Sequence, residues 1–445
     1  MENTPTNNGF SPANPTAGNM QNNVPPAQPQ YNQPYNQQPN GYTAPQGTPY
    51  QVPQYTPESS QAYPRTPYGG YTANNVQQTP SVIYNNTRTG NAPQYHYGNP
   101  MGAMMDNNYY LEQQEKIRKR RLKEKEIRKT GNIAGLSLIF TLFVALAFSA
   151  ILLIPSFSEL YYSGVGGQSF FSIFHSILVV GGVFFVLRQY LKKNIDRKTL
   201  KPKYTVKINY GMPKNPAKTA LLVFISVGGC LLANYLSSFI LAFLQILGIE
   251  STYSSLQEPS GALEIIMMFI ATALIPPLVE EYSMRGVTMS FLSKHGKTFA
   301  ILASAYMFGI FHGTVAQIPF AFMCGLFFGY AVFASGSLWT AVIIHLINNS
   351  LSCVSSIIIK EFDESAGNIF FYISTSVFII LGFICLGIYI KNYKQADIKC
   401  FKPEDDDLPL KTKFAKFLSS PAMIMATILY FVQALTTLKF TGFAS

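Results

Sequence analysis

Long apolar segments in series constrain this chain of 445 residues more than any other feature. A helix needs about 20 apolar residues to cross the hydrocarbon core of a membrane. Segments near that length occur at 132–154, 168–190, 218–247, 262–279, 298–314, 316–334, 338–359, 367–390 and 419–440. Soluble proteins rarely carry core helices of such length one after another. The pattern therefore predicts an all-α fold, a polytopic transmembrane helical bundle of about eight or nine spans, whose short fifth and sixth segments are compatible with a re-entrant pair.

Lysine and arginine alternate between the loops that join these segments. Loops 191–217 and 391–417 are rich in cations and 280–297 carries three, whereas 155–167 and 248–261 carry none. Because cytoplasmic loops carry the excess of Lys and Arg, we expect a multi-pass protein of the cell membrane with a cytoplasmic N-terminus. The formal charge of +11 comes mainly from such runs, which favours contact with anionic lipid over binding to nucleic acid.

The fourth apolar segment ends in LIPPLVEEYSMRG, which presents two acids and a base. Glu281 and Arg285 are four residues apart and share a helix face, a spacing that suits an ion pair. Glu280 lies about 100° around the helix and is left without that partner. A charged side chain at the centre of a membrane helix costs roughly 2.5–3.5 kcal/mol on insertion scales, so such groups normally face a cavity or a partner. Glu280 is therefore a candidate functional residue.

Two histidines in later segments each have a companion on the same helix face. His312 follows Phe308 by four residues, and Asn349 follows His345 by four. An aromatic ring can pack over an imidazole, and an amide can donate a hydrogen bond beside one. Each pair taken alone is compatible with a histidine that only joins two membrane helices. Together with Glu280, the two pairs form a set of acid and base groups in neighbouring spans.

The pattern EExxxR at Glu280, followed by FxxxH at Phe308 and HxxxN at His345, resembles three ordered motifs of the CAAX protease and bacteriocin-processing family, also called CPBP or Abi. Members of this family are intramembrane proteases, and they include the type II CAAX prenyl endopeptidases. The similarity covers roughly residues 262–355, and residues 1–217 have no counterpart in it. Each motif alone is a weak signal, but three in order within membrane segments are specific.

The resemblance implies that Glu280 and His312 polarise a water molecule for attack on a peptide carbonyl group. It also implies that His345 and Asn349 stabilise the oxyanion that forms, as preorganised hydrogen-bond donors do. Glu280, His312 and His345 are also a ligand set that suits zinc with one open position, and members of the family have been described as metalloproteases. The sequence lacks the HExxH pattern of the usual helix-borne zinc site. We therefore favour a mechanism without a cofactor, with zinc as the alternative.

Three further residues of the motifs are expected to support the site. Under the resemblance, Glu281 and Arg285 form an architectural ion pair, and Phe308 packs behind His312. Asn348 and Tyr282 adjoin the motifs in the sequence but are expected to point elsewhere on their helices.

Composition and charge divide the chain into five parts. Residues 1–110 are rich in Gln, Asn, Pro, Tyr and Gly, and their few apolar residues predict a disordered cytoplasmic tail. Residues 111–131 are predicted to be a basic juxtamembrane helix, and 132–217 two spans followed by a basic loop. Residues 218–390 are predicted to be the protease-like membrane core, and 391–445 a cytoplasmic loop with the final span.

The expected function is that of an intramembrane endopeptidase acting near the cytoplasmic membrane face. Its substrate is expected to be a prenylated CAAX-type tail, a peptide precursor, a bacteriocin-related peptide or a membrane-protein segment. Two alternatives use the same polar cluster differently: a non-catalytic scaffold or receptor, in which the cluster locks helices together, and a small-solute transporter, in which it binds the solute. The sequence does not predict an oligomeric state.

Overall fold

A computed structural model of the chain describes residues 100–194, 209–251, 259–395, 397 and 408–442, with the side chains of 100–106 excepted. The predicted disordered tail, 1–110, lies outside the described residues except for its last part. That last part is helical, because the first helix begins at Pro100.

The described residues are helical almost throughout, which confirms the predicted all-α bundle. The helices in chain order are α1 (Pro100–Ser149), α2 (Pro155–Tyr162), α3 (Val165–Lys193), α4 (Pro216–Ile246), α5 (Ala262–His295), α6 (Lys297–Phe311), α7 (Ile318–Ser335), α8 (Leu338–Glu361), α9 (Glu364–Asn392), α10 (Leu410–Leu418) and α11 (Pro421–Thr436). Two short strands, β1 (Ile249–Ser251) and β2 (Leu438–Phe440), pair antiparallel. Helix α3 contains a π-helical turn at His175–Gly181, and α5 contains two, at Ile270–Leu274 and Tyr282–Met289.

Seven of the described helices are long and apolar enough to cross a membrane, and an eighth span results if α10 and α11, bent by 71°, count as one. The predicted fifth span, 298–314, corresponds to α6, which has only 15 residues. At 1.5 Å per residue α6 is about 22 Å long, short of the roughly 30 Å of a hydrocarbon core. Lys297, at the start of α6, lies 5.9 Å from the ring centroid of Phe333, near the end of α7. The hairpin of α6 and α7 therefore begins and ends at the same end of the bundle.

Most of the cations in the described loops lie at one end of the bundle. The hydroxyl group of Ser337, before α8, donates to the carbonyl oxygen of Gly211, before α4, at 2.7 Å. The ammonium group of Lys413 in α10 donates to the carbonyl oxygen of His295, at the end of α5, at 2.7 Å. The ring of His295 in turn contacts the hydroxyl group of Thr130 in α1 at 3.0 Å. We call this end, where α4, α6 and α8 begin and α5 ends, the cationic end.

The opposite end is built from short connections with few cations. The amide of Gly166, at the start of α3, donates to Glu264, at the start of α5, at 3.2 Å. Strand β1 follows α4 and pairs with β2 so that Ile249 lies opposite Phe440. The final span, predicted as 419–440, therefore ends early, because its last residues join a strand pair instead of continuing α11. We call this end the cation-poor end.

Helix α5 corrects the predicted boundary of the fourth span. The span was predicted to end at 279 and a cytoplasmic loop to occupy 280–297, but the helix continues to His295. The cation that suggested a loop, Arg285, is only 2% exposed. Its charge is paired with Glu281 inside the bundle, so it does not end the buried helix.

Helix α1 joins the predicted basic helix, 111–131, and the first span in one continuous helix of 50 residues. Ion pairs fix it near the cationic end, where Lys416 lies 2.9 Å from Glu124. Farther along, a Cβ atom at Gly135 would lie 2.4 Å from the backbone of α11. The glycine thus permits an approach of two helix backbones that a side chain would block.

Candidate active site

A cavity of about 760 Å³ lies within the bundle and contains the four predicted catalytic residues. Helix α5 contributes Glu280, α6 contributes His312 at its C-terminal end, and α8 contributes His345 and Asn349. His312 follows Glu280 by 32 residues, and His345 follows His312 by 33, yet the three side chains line one cavity. The structure therefore brings together the whole set that the sequence singled out.

A fully buried ion pair lies behind His345, one of the residues that line this cavity. Glu281 and Arg285 have fully buried side chains, and Arg285 Nη1 donates to Glu281 Oε1 at 2.9 Å. This confirms the predicted pair. The same carboxylate oxygen lies 3.0 Å from His345 Nδ1, a contact between residues 64 positions apart that the motif spacing did not predict. Buried charges require such partners, because an unpaired charge in a low-dielectric interior is costly.

Two aromatic rings hold the guanidinium group of Arg285. Its Cζ atom lies 4.3 Å from the ring centroid of Phe308 and 5.0 Å from that of Phe328. Cations over aromatic faces gain about 2 kcal/mol when they are desolvated. Phe308 also meets the ring of His312 edge-on at 4.8 Å between centroids, and Phe328 lies 5.1 Å from His345. No pattern in the sequence singled out Phe328, which is one of many phenylalanines in an apolar span.

Hydrogen bonds fix the tautomers of both histidines. His312 Nδ1 lies 2.8 Å from the carbonyl oxygen of Phe308, and a carbonyl oxygen can only accept, so Nδ1 carries the proton. In the neutral ring, Nε2 is then an acceptor. His345 Nδ1 likewise donates to the carboxylate of Glu281. His345 Nε2 is therefore an acceptor in the neutral ring and becomes a donor only in the imidazolium form.

Of the two adjacent glutamates, Glu280 is the one that lines the cavity. Its Oε2 atom is buried and has no hydrogen-bond partner among the described residues. It lines the same cavity as His312. A partly buried carboxylate beside an imidazole acceptor is an arrangement that can bind and deprotonate water.

The two adjacent asparagines of α8 are linked to each other and to α5. Asn349 Nδ2 donates to the carbonyl oxygen of Thr272 at 3.0 Å. Asn348 Nδ2 lies 3.3 Å from Asn349 Oδ1 and donates to it. Asn348 was expected to point away from the site, but it lines the cavity and is 7% exposed. Its position is corrected accordingly: it orients the amide of Asn349.

Sequence reasoning also missed a polar stripe along α8. Ser352 and Ser356 line the cavity beyond the motif. With His345 and Asn349 they follow the spacing i, i+4, i+7 and i+11, which places all four on one helix face. That periodicity was present in the sequence and identifies the wall of the cavity.

The described side chains do not gather as a three-ligand metal site. Within the described parts of the chain, no group of three or more His, Cys, Asp or Glu side chains is placed to hold a metal ion. The set named for zinc, Glu280, His312 and His345, shares the cavity without converging to that extent. The Nδ1 atoms of both histidines donate within the protein, which leaves Nε2 as the acceptor atom of each neutral ring. A mechanism without a cofactor, with zinc as the alternative, therefore stays a prediction from the sequence.

Comparison with known proteins matches residues 262–351 to the family described as "Type II CAAX prenyl endopeptidase Rce1-like". The matched segment runs from the start of α5 into α8 and contains all three motifs. The match confirms the resemblance drawn from those motifs. No curated protein and no solved structure matches the chain.

Proposed function

We propose that this multi-pass membrane protein is an intramembrane endopeptidase that hydrolyses a peptide bond with a water molecule activated by Glu280 and His312. The observation that carries the proposal is the convergence of two histidines, an amide and an unpartnered carboxylate on one cavity. The match of residues 262–351 to a CAAX-protease family supports the same reaction class. The substrate is a peptide or a segment of a membrane protein.

The first step is attack of water on the scissile carbonyl group. His312 Nε2 accepts a hydrogen bond from the water, because its Nδ1 proton is held by the carbonyl oxygen of Phe308. As the oxygen atom of the water bonds to the carbonyl carbon, Glu280 takes one proton from the water. The electron pair of the C=O double bond moves to the oxygen and forms a tetrahedral oxyanion.

The second step is collapse of that oxyanion. The amide of Asn349 has two N–H groups; one is bound to Thr272, and the other is assigned to the oxyanion. His345, which is held by the contact of its Nδ1 with Glu281, is assigned as a second donor to the oxyanion, from Nε2 in its imidazolium form. The C–N bond then breaks, and the proton held by Glu280 passes to the leaving nitrogen. These steps use only side chains of the protein and require no metal.

The proposed orientation of the protein in the membrane rests on the distribution of Lys and Arg. We place the cationic end at the cytoplasmic face of the cell membrane, where Lys and Arg near the spans are enriched and meet anionic lipid. The N-terminus is then cytoplasmic. This orientation predicts that reagents confined to the cytoplasm reach residues 209–215, which precede α4, and exposed residues of α10.

The test compares peptide and protein termini in cells that produce the wild type or Glu280→Gln at equal membrane abundance. A matched control, Glu159→Gln, makes the same chemical change at an exposed acid of α2. We expect new termini with the wild type and the control but not with Glu280→Gln, and we expect the purified wild type to cleave peptides that carry those sites. Identical termini from all three folded proteins would overturn the proposal in favour of a scaffold or transporter.

A further inference from the structure

The cavity that contains the candidate active site extends toward one end of the bundle. On α8 its lining residues run from His345 to Lys360, so all lie on the C-terminal side of His345. On α5 its lining residues run from Met268 to Glu280, and Pro259 lines it before α5 begins. Helix α8 ends and α5 begins at the cation-poor end. Both helices therefore place the mouth of the cavity at that end.

The opposite side of the cavity is closed by packed side chains. Glu281 and Arg285 are 0% and 2% exposed, and they follow Glu280 along α5 toward the cationic end. Phe328 and Met284 around them are 1% and 0% exposed. A charged pair held between aromatic rings leaves no passage for a peptide, so access from the cationic end requires this packing to be broken.

Charge identifies the side of the membrane on which the mouth lies. Among the described residues, the connections at the cation-poor end (155–167, 248–251 and 259–261) contain no Lys or Arg, whereas those at the cationic end (191–194, 209–217, 391–395 and 408–417) contain eight. Because Lys and Arg are enriched in cytoplasmic loops, the cation-poor end faces away from the cytoplasm. This differs from the expectation, drawn from the sequence, of cleavage near the cytoplasmic face.

We infer that the active-site cavity opens on the non-cytoplasmic face and takes peptide segments that have been translocated across the membrane. The identity of the occupant as substrate rests on the proposed function, whereas the direction of the opening does not. A lipid-modified tail held at the cytoplasmic leaflet cannot reach this mouth. A secreted peptide precursor, or the non-cytoplasmic flank of a membrane protein, can.

The polar stripe of α8 indicates how much peptide the cavity holds. From His345 to Ser356 the helix rises by about 16 Å. An extended peptide advances about 3.3 Å per residue, so roughly five residues fit along the stripe. The amide of Asn349 and the hydroxyl groups of Ser352 and Ser356 can bond to the peptide backbone, while Phe320 and Phe371 supply apolar surface elsewhere on the wall.

The test is cysteine labelling from outside intact cells. In a chain whose five native cysteines are replaced by serine, one cysteine is introduced by Ser356→Cys in the cavity, Ser158→Cys in α2 or Lys214→Cys before α4. A membrane-impermeant sulfonated maleimide is expected to label Ser356→Cys and Ser158→Cys in intact cells, and Lys214→Cys only after permeabilisation. Labelling of Ser356→Cys only after permeabilisation, together with Lys214→Cys, would overturn the inference.

A second measurement covers the case in which the chain without cysteines does not fold. With all native cysteines present, an epitope tag is inserted after Ser158 or after Gly211, and antibody is added to intact or permeabilised cells. We expect the first tag to be detected in both and the second only after permeabilisation; the reverse pattern would overturn the inference.

The proposed function is separated from the direction of opening by a variant that lacks the catalytic acid. Glu280→Gln added to the Ser356→Cys chain should leave labelling from outside unchanged. If labelling holds but no cleavage product is found for the wild type, the protease proposal fails and the direction of opening stands. If cleavage occurs but Ser356→Cys reacts only from the cytoplasm, the inference fails and the protease proposal stands.

Discussion

Replacing Glu281 by Gln is expected to destabilise the protein far more than the same replacement at its neighbour Glu280. Glu281 Oε1 accepts hydrogen bonds from both Arg285 and His345 in a fully buried setting. Once that charge is removed, Arg285 remains buried between two aromatic rings without the carboxylate that it contacts. Among the described residues Glu280 forms no such pair, so its neutralisation leaves the ion pair of Glu281 and Arg285 intact.

The magnitude follows from the burial of the pair. Removing one partner of a buried ion pair costs about 3–5 kcal/mol, because the other charge stays behind uncompensated. The aromatic faces around Arg285 do not offset this loss, since they are present in both proteins. Glutamine keeps one carbonyl acceptor, which places the expected cost near the lower end, at about 3 kcal/mol. For Glu280→Gln we expect about 1 kcal/mol or less. The difference of about 2 kcal/mol is roughly a 30-fold change in the unfolding equilibrium.

The assay is reversible unfolding in mixed detergent micelles. The single tryptophan of the chain, Trp339, lies at the start of α8 and bonds to the carbonyl oxygen of Tyr210, so its fluorescence reports loss of helix contacts near the cationic end. The double variant Glu281→Gln/Arg285→Met should recover at least half of the loss, because it leaves no unpaired charge. Equal stability of Glu280→Gln and Glu281→Gln, or no recovery in the double variant, would refute the reasoning.

Three further changes test other parts of the structure. Asn349→Leu should lower kcat about 10²- to 10³-fold with little change in KM, as loss of one oxyanion donor does; steady-state kinetics on an identified substrate measures this, and an unchanged kcat contradicts the assignment. Gly135→Ala should destabilise the protein by about 1–3 kcal/mol through overpacking against α11, whereas Gly387→Ala, whose Cβ meets open space, should be neutral or slightly stabilising; unfolding midpoints compare the two, and equal midpoints contradict the predicted contact. Lys218→Met should cost about 3 kcal/mol by leaving Asp397 unpaired, and adding Asp397→Asn should restore most of it in the same assay; no restoration indicates that the pair is not the cause.

Local spacing predicted the parts of the site that depend on one helix. Residues four apart share a helix face, and this was sufficient to predict the ion pair of Glu281 and Arg285. It also placed each of His312 and His345 beside its companion. The convergence of the three motifs was anticipated through family resemblance, because spacing within one helix does not determine which helices are neighbours.

The parts that sequence reasoning missed depend on contacts between helices. Arg285 was assigned to a loop because a positively charged residue lowers the mean hydropathy of a segment. The sequence alone does not show which groups surround that charge. Those groups include Phe308 and Phe328, which come from α6 and α7. The bond between Glu281 and His345 likewise joins α5 to α8. The direction of the cavity follows only once the ends of these helices are known.

The continuity of α1 has a mechanical consequence. Residues 100–123 extend the helix by about 36 Å beyond the ion pair at Glu124. Because the extension and the span are one helix, they tilt together as a lever whose fulcrum is the packing against α10 and α11. A tilt of about 10° moves the tip of the lever by roughly 6 Å. A molecule that binds the helix near Pro100 therefore changes the tilt angle of α1 within the bundle.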